Sequence, residues 1–555
     1  MNSVFEFEHF SYRYRKNSAP VLSDITLSVK EGEITAIVGK SGSGKTTFAS
    51  VLSGVIPNVI SSGVMEGRAE KTKDVFIGLI TQSPESQLFG YTVEDAIAFG
   101  LENQNVPRKD IEERLSAVLD LLHISHLRRR VVERLSGGQK QAVCIASVLI
   151  MKPDLLVLDE PVSSLDPKGK ALVQDILIRL KEAGQSVIIL DQFLDWCADC
   201  VDHVIGMEDG HITFEGTLLD FLKDKALYER LGVTVPQGAA LYHQLKDTYP
   251  DFPLCWNIED LAKRLLGRVR ALPEGVPAQE QEEDHPVCLT VKHLRHCYGD
   301  FEALSDVNAV FRKGTVTTIL GQNGTGKTTF VHHINGLLKP TFGTIEINGQ
   351  SIEGLSVAEL SRKVSLIFQN PDQMLFEDTV AEEIQFSRRQ HGDPIDEDQT
   401  KQLLRDAGMA GYEKAFPLNL SMGQKHMVTI LGSVASGADI VIFDEPTLGM
   451  DLAMKQYLAK LIQTIRDRGT CVILISHELS FVCEVSDRIL LLHDGRIIYA
   501  GDRDSAFAKR DCFAQMKMPL PDMEVLSDQL GLDRTFLTTS EFARGIVIDG
   551  KGARA

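Results

Sequence analysis

Short apolar runs that stop at glycine-rich or acidic stretches set the pattern of this chain. Ile34 to Val38 and Val316 to Leu320 end at glycine-rich loops. Leu155 to Leu158 and Ile440 to Phe443 end at Asp-Glu, while Val187 to Leu190 and Val472 to Ile475 each precede one further polar position. Runs this short, apolar without alternation, read as strands buried on both faces. Helical stretches separate them, which predicts a mostly parallel α/β sheet with ligands at the carboxyl ends of its strands. Val4 to Phe10 alternates apolar and polar residues instead, and is expected to add an antiparallel edge.

The pattern occurs twice. Gly39-Lys40-Ser41-Gly42-Ser43-Gly44-Lys45-Thr46-Thr47 recurs 282 residues later as Gly321-Gln322-Asn323-Gly324-Thr325-Gly326-Lys327-Thr328-Thr329. Leu135-Ser136-Gly137-Gly138-Gln139-Lys140 recurs as Leu420-Ser421-Met422-Gly423-Gln424-Lys425, and Asp159-Glu160-Pro161 as Asp444-Glu445-Pro446, both at an offset of 285. Pro236, Leu241 and Leu245 meet Pro521, Leu526 and Leu530 at the same offset. The repeat unit is a domain followed by a small helical appendix. The expected organisation is a first domain over 1–225, an appendix and acidic linker over 226–286, a second domain over 287–510, and a last appendix over 511–555. Pro273 to Pro286, rich in Pro and acids, reads as the solvated linker.

Composition narrows the function classes. Lys and Arg number 58 against 77 Asp and Glu, a net charge of −19, which repels phosphate backbones and speaks against nucleic acid as a partner. With 43% apolar residues the chain can build full cores. No run approaches the ~18 apolar residues of a membrane span, so membrane work is expected to be borrowed from partners. The first residues lack a basic-then-apolar signal, which makes the cytosol the default, and nine scattered cysteines fit reduced thiols there.

The two glycine loops carry the chemistry. In G-x-x-x-x-G-K-T, glycines let backbone amides turn inward around a phosphate chain, and the following helix points its positive end at the same place. Lys45 and Lys327 are placed for β- and γ-phosphates, and Thr46 and Thr328 for Mg²⁺. Asp159 and Asp444, at strand ends, can reach the metal through water; Glu160 and Glu445 can orient or deprotonate the attacking water.

These residues resemble the ATP-binding cassette (ABC) ATPases. Leu135 to Gln139, Leu-Ser-Gly-Gly-Gln, is that family's signature, and the resemblance covers roughly residues 3 to 225 and 287 to 510. It implies two tandem P-loop domains of α/β class, each a mostly parallel sheet with an antiparallel edge and a helical signature subdomain. It further implies Tyr14 and Tyr298 stacking on adenine, Gln82 and Gln369 as Q-loop glutamines, Asp166 and Asp451 in the D-loops, and His477 as the switch histidine. In such proteins two cassettes pair head to tail, so each ATP contacts one P-loop and the other cassette's signature, here Ser136, Gly137, Gly138 and Gln139 or Ser421, Gly423 and Gln424. The departures are Gln192 where the first cassette's histidine is expected, and Met422 in the second signature. Head-to-tail pairing brings both into one site, which implies one competent and one impaired site. Two working sites is the competing reading, because a neutral amide still hydrogen-bonds a phosphate.

After the Q-loops, Gln82 to Phe89 and Gln369 to Phe376 are similar to the ATPases of energy-coupling factor (ECF) importers for vitamins or transition-metal ions. That resemblance implies a transmembrane coupling subunit and a small substrate-binding membrane subunit as partners, and residence at the cytoplasmic face of the cell membrane. Leu88-Phe89 and Leu375-Phe376 either border the docking groove or pack in the core. A fused ATPase for sugar or peptide transport, or a soluble ABC protein acting on ribosomes or DNA, are the alternatives. Cys197-Ala198-Asp199-Cys200 is expected on a helix in a packing role, His332-His333 inside the domain or on its helix surface, and Arg128 to Arg130 at a solvated helix end. Whether the two appendices touch is left open by their sequences.

Overall fold

Ile34–Val38, Leu155–Asp159 and Ser186–Asp191 are buried at every position, so each lacks a polar face and must be covered on both sides. The computed structural model describes residues 3–549 except 17, 73, 84–85, 164 and 274–284. Most of the expected linker, and Pro84 and Glu85 of the segment after Gln82, therefore lie outside the described residues. The chain divides into two compact units, 1–240 and 241–555.

In the first unit the six-stranded sheet has the order Ile77–Ile80, Leu155–Asp159, Ser186–Asp191, Ile34–Val38, His203–Glu208, His211–Thr217. Every pairing is parallel except the last. A second, antiparallel sheet centres on Ser3–Arg13, flanked by Leu22–Lys30 and Val64–Lys71. The alternating segment Val4 to Phe10 is thus an antiparallel strand, but in its own sheet; the antiparallel edge of the large sheet is His211–Thr217. The buried face of Ser3–Arg13 reaches the helix Lys45–Leu52, where Phe7 stacks on Phe48 with ring centroids 4.8 Å apart. That contact fixes the helix whose first residue is the loop lysine.

The second unit repeats the plan. Its large sheet runs Val364–Ile367, Ile440–Asp444, Cys471–Ile475, Val316–Leu320, Arg488–His493, Arg496–Asp502, again parallel except at the last pairing. Val287–Tyr298 centres the antiparallel sheet between Phe301–Arg312 and Phe342–Ile347. In both units the glycine loop leaves a central strand, next to the strand that ends at residue 191 or is followed by residue 476. The acid pair ends the strand beyond that one. Three neighbouring strand ends therefore deliver the loop, the acids and the switch position to one edge of the sheet.

Helices 237–245 and 258–265 and strand Val269–Ala271 are echoed by helices 522–529 and 539–545 and strand Ile546–Ile548. The two strands pair antiparallel. Leu241, Leu261 and Leu265 share a core with Leu526, Phe536 and Phe542, so within the second unit the two appendices form one hydrophobic cluster. Cys197 and Cys200 are both buried, but on consecutive turns rather than the expected helix. The buried Asp191 and the bridge of Phe193 to Thr234 hold that segment in non-helical form.

Because the appendix core draws on both segments, truncating one side should loosen both. Phe542→Ala, costing about 3–5 kcal/mol as a buried aromatic truncation, is expected to speed amide hydrogen exchange in 258–271 as well as in 539–548. Faster exchange confined to the mutated segment would contradict the shared core.

Candidate phosphate and acid site

Each glycine loop closes on its own lysine. Lys45 Nζ donates to the carbonyl oxygens of Gly39 at 2.6 Å and Lys40 at 2.9 Å; Lys327 Nζ donates to those of Gly321 at 2.7 Å and Gln322 at 2.9 Å. Both lysines are buried. The curl needs glycine at two points. Gly44, which caps the helix, has φ 102°, and a Cβ on Gly39 would lie 2.2 Å from the Met207 carbonyl oxygen. What remains is a ring of backbone at the start of a helix whose first amides have no intrahelical partner, a ready anion site.

The neighbouring strand ends supply oxygen. Thr328 Oγ1 donates to Asp444 Oδ2 at 3.2 Å, and Thr46 hydrogen-bonds Asp159 in the same way. Burial raises the carboxyls of Asp159 and Asp444 above their ordinary range, opposed by these hydroxyls and by Lys45 and Lys327. A hydroxyl, a carboxylate and a lysine beside an open helix end fit ATP with Mg²⁺: Thr46 and Asp159, or Thr328 and Asp444, would hold the metal, which when bound neutralises developing phosphate charge.

The glutamates that follow sit in left-handed backbone, φ 47° at Glu160 and 49° at Glu445, which turns each side chain back toward the loop. Their surroundings differ. Gln82 Nε2 donates to Glu160 Oε2 at 2.7 Å. Glu445 is met instead by His477: the histidine amide donates to Oε2 at 3.2 Å, Nε2 lies 3.1 Å from Oε1, and Nε2 is 3.0 Å from Asn323 Oδ1. Gln369, the counterpart of Gln82, is exposed. Burial pushes the Glu445 carboxyl up to about 8, against the pull of Lys327. A carboxyl tuned near neutrality beside a histidine suits proton transfer with a water.

The remaining expected residues fall as follows. Tyr14 and Tyr298 are half-exposed at the ends of the antiparallel strands; Tyr14 is hydrogen-bonded to Thr47 at 3.1 Å and Tyr298 packs edge-on against His296. Ser136 with Gln139, and Ser421 with Gln424, form capping boxes that start the signature helices Gly137–Leu149 and Met422–Ala435. The second signature glycine is required by packing: a Cβ on Gly138 would lie 2.4 Å from Gly169 Cα, and one on Gly423 2.3 Å from the Gly449 oxygen. Met422, at the first glycine's position, is exposed and accommodated. Asp166 and Asp451 cap the helices that follow. His333 is buried and its Nε2 lies 3.1 Å from His296 Nδ1, whereas His332 packs on Phe368. Asp191, buried at a strand end beside Glu160, escaped the sequence reading; the signal was an acid closing an apolar run.

Two mostly parallel sheets, each with a phosphate loop, a signature helix and an acid pair, define a tandem ABC ATPase. The family described as "ABC transporter" matches residues 22–163 and 304–448, and the chain belongs to it. It is an ABC transporter ATP-binding protein with two tandem cassettes. A protein of Caldanaerobacter subterraneus subsp. tengcongensis, provisionally named an ABC transporter ATP-binding protein, is 32% identical over 96% of each chain. A Bacillus subtilis protein with the provisional name HMP/thiamine import ATP-binding protein YkoD is 30% identical over 94% of this chain and 95% of its own. A chain from the crystal structure of archaeal ribosomal stalk protein aP1 with archaeal ribosome recycling factor aABCE1 shares the fold, with TM-score 0.61, 21% identity and 92% coverage of both.

The raised carboxyl of Glu445 has a stability consequence. From its ordinary value of 4.5 up to about 8 the folded state holds a proton that the unfolded state releases, so this group's contribution falls as pH rises through that window. Glu445→Gln is therefore expected to gain thermal stability over the parent by a margin that grows from pH 5 to pH 8 in nucleotide-free protein. A constant margin across that range would show the carboxyl ionising normally.

Proposed function

We propose that this chain is the ATPase of an energy-coupling factor importer, working at the cytoplasmic face of the cell membrane for uptake of a vitamin or transition-metal ion. The observation that carries this reading is a pair of exposed aromatic contacts after the Q-loops. Phe89 is 56% exposed and stacks on Phe99 at 5.4 Å; Phe376 is 69% exposed and lies 5.9 Å from Phe386. Leu375 beside Phe376 is buried and serves the core, so in the second cassette the two halves of the apolar pair divide the packing and docking roles, whereas Leu88 beside Phe89 is half-buried. An aromatic left at the surface next to a catalytic strand end suits an apolar helix of a transmembrane coupling subunit, which in turn holds a small substrate-binding membrane subunit. The provisional name of the Bacillus relative, HMP/thiamine import, supports a vitamin-like cargo. Among the described residues no helix is long and apolar enough to cross a membrane, consistent with partners that supply the spans.

In this reading the cassettes pair head to tail with ATP and Mg²⁺ between them, and the sites are unequal. The site of Lys327, Thr328, Asp444, Glu445, Gln369 and His477 takes the intact signature Ser136 to Gln139 and hydrolyses. The site of Lys45, Thr46, Asp159, Glu160, Gln82 and Gln192 meets Met422 and binds without efficient turnover. Glu445 then acts on the water and His477 holds the transferred charge, both needing only position and charge from the protein.

Two measurements test this. Glu445→Gln is expected to lower the ATPase rate by about 10²-fold or more, the loss of one acid–base group, and Glu160→Gln by less than about threefold; equal losses would refute unequal sites. Affinity purification from native membranes is expected to recover two integral membrane proteins with the intact chain, and to lose them with Phe89→Glu plus Phe376→Glu while ATP binding persists. Ribosomes as the main companion would overturn the importer reading.

A further inference from the structure

The first cassette anchors its switch segment in a way the second does not, and the difference begins one residue before the histidine position. Strand Ser186–Asp191 ends in a buried carboxylate where Cys471–Ile475 is followed by Ser476. Asp191 Oδ1 accepts from the amides of Gln192 at 2.7 Å and Phe193 at 3.1 Å, and Oδ2 accepts from the Trp196 indole at 3.0 Å. On the far side, the Thr234 amide donates to the Gln192 carbonyl at 2.9 Å and the Thr234 carbonyl accepts from the Leu194 amide at 2.9 Å. Gln192 is held through both its N–H and its C=O. Its side chain is turned inward, with the residue 2% exposed and Oε1 buried without a hydrogen-bond partner.

At the matching positions, 285 residues on, the second cassette carries Ser476 for Asp191, Phe481 for Trp196 and Pro519 for Thr234. Phenylalanine has no indole N–H and proline no amide proton. The amide of His477 donates instead to Glu445, and its side chain is 15% exposed and meets Asn323 of the phosphate loop. The same backbone amide thus serves the candidate base in one cassette and a buried structural acid in the other.

We propose that Asp191, Trp196 and Thr234 are positioning residues of a lock that keeps residue 192 out of the phosphate pocket, so that a histidine restored there does not restore hydrolysis until the lock is opened. The inference rests on the reading of unequal sites. Locking a switch residue in a site that binds ATP without turning it over keeps that site closed through the other site's cycles, which lets one hydrolysis event per cycle drive the partner subunits.

The test uses the full chain with Glu445→Gln, to silence the second site, and Met422→Gly, to remove the other departure. In that parent, Gln192→His together with Asp191→Ser is expected to raise the residual ATPase rate by about tenfold or more above either single variant, a modest part of what a positioned acid–base group supplies. Gln192→His alone matching the double variant would overturn the lock. An optical readout stands apart from turnover. With Trp256→Phe leaving Trp196 as the sole tryptophan, Asp191→Ser and Thr234→Pro should each increase acrylamide quenching of its fluorescence while ATP binding is kept. Unchanged quenching in both would overturn the lock even if rates moved. A parent already hydrolysing at the unmodified chain's rate would sink the unequal-sites reading, and the quenching result would then judge the lock by itself.

Discussion

A lysine ammonium turned back onto two carbonyl oxygens of its own loop is the interaction on which each cassette depends. A buried cation must be partnered, and the backbone of residues 39–40 or 321–322 is what partners it here. The loop must therefore curl into a ring about the amine, and the ring demands left-handed backbone at Gly44 and Gly326 and clearance at Gly39 against the neighbouring strand's carbonyl. Once the ring is fixed to a central strand, the ends of the adjacent parallel strands lie beside it without further design. Phosphate affinity, metal oxygens and an acid for water come from one topological fact.

Both cassettes carry that ring, and what surrounds it differs. Both lysines, both threonine–aspartate pairs and both left-handed glutamates are in place, yet Glu160 meets Gln82 while Glu445 meets His477. The divergence lies in what each strand end carries next, Asp191 or Ser476. A buried aspartate demands donors, and the nearest donors are the amides of its own chain. The two cassettes therefore differ in how this segment is anchored as well as in carrying Gln192 or His477.

The buried strands were legible because a strand without a polar face shows as an unbroken apolar run, and the observed bounds differ from the expected ones by a residue or so. Gly39 to Thr47 and its repeat were legible because the ring needs glycine and lysine at fixed spacing. Val4 to Phe10 showed its period of two, but the sheet it joins depends on pairing with Leu22–Lys30 and Val64–Lys71, which no local pattern carries. The turns at Cys197 to Cys200 were hidden for a similar reason: their apolar content suits a helix, and what prevents one is the distant Thr234 and the carboxylate of Asp191. The split of Leu375 from Phe376, one buried and one exposed, was likewise beyond a sequence in which both are simply apolar.

The appendices of the two copies share one core within the second unit. Residues 241–271 fall short of the ~40 residues below which a domain seldom folds without outside help, and the matching elements over 522–548 are shorter still. Each carries only part of an apolar set: Leu241, Leu261 and Leu265 on one side, Leu526, Phe536 and Phe542 on the other. Joined by the pairing of Val269–Ala271 with Ile546–Ile548, they bury one core between them. The first copy's appendix thus completes a core in the unit that contains the second cassette. Neither tail therefore carries a complete apolar set by itself, and a change that loosens one side of the core loosens the other.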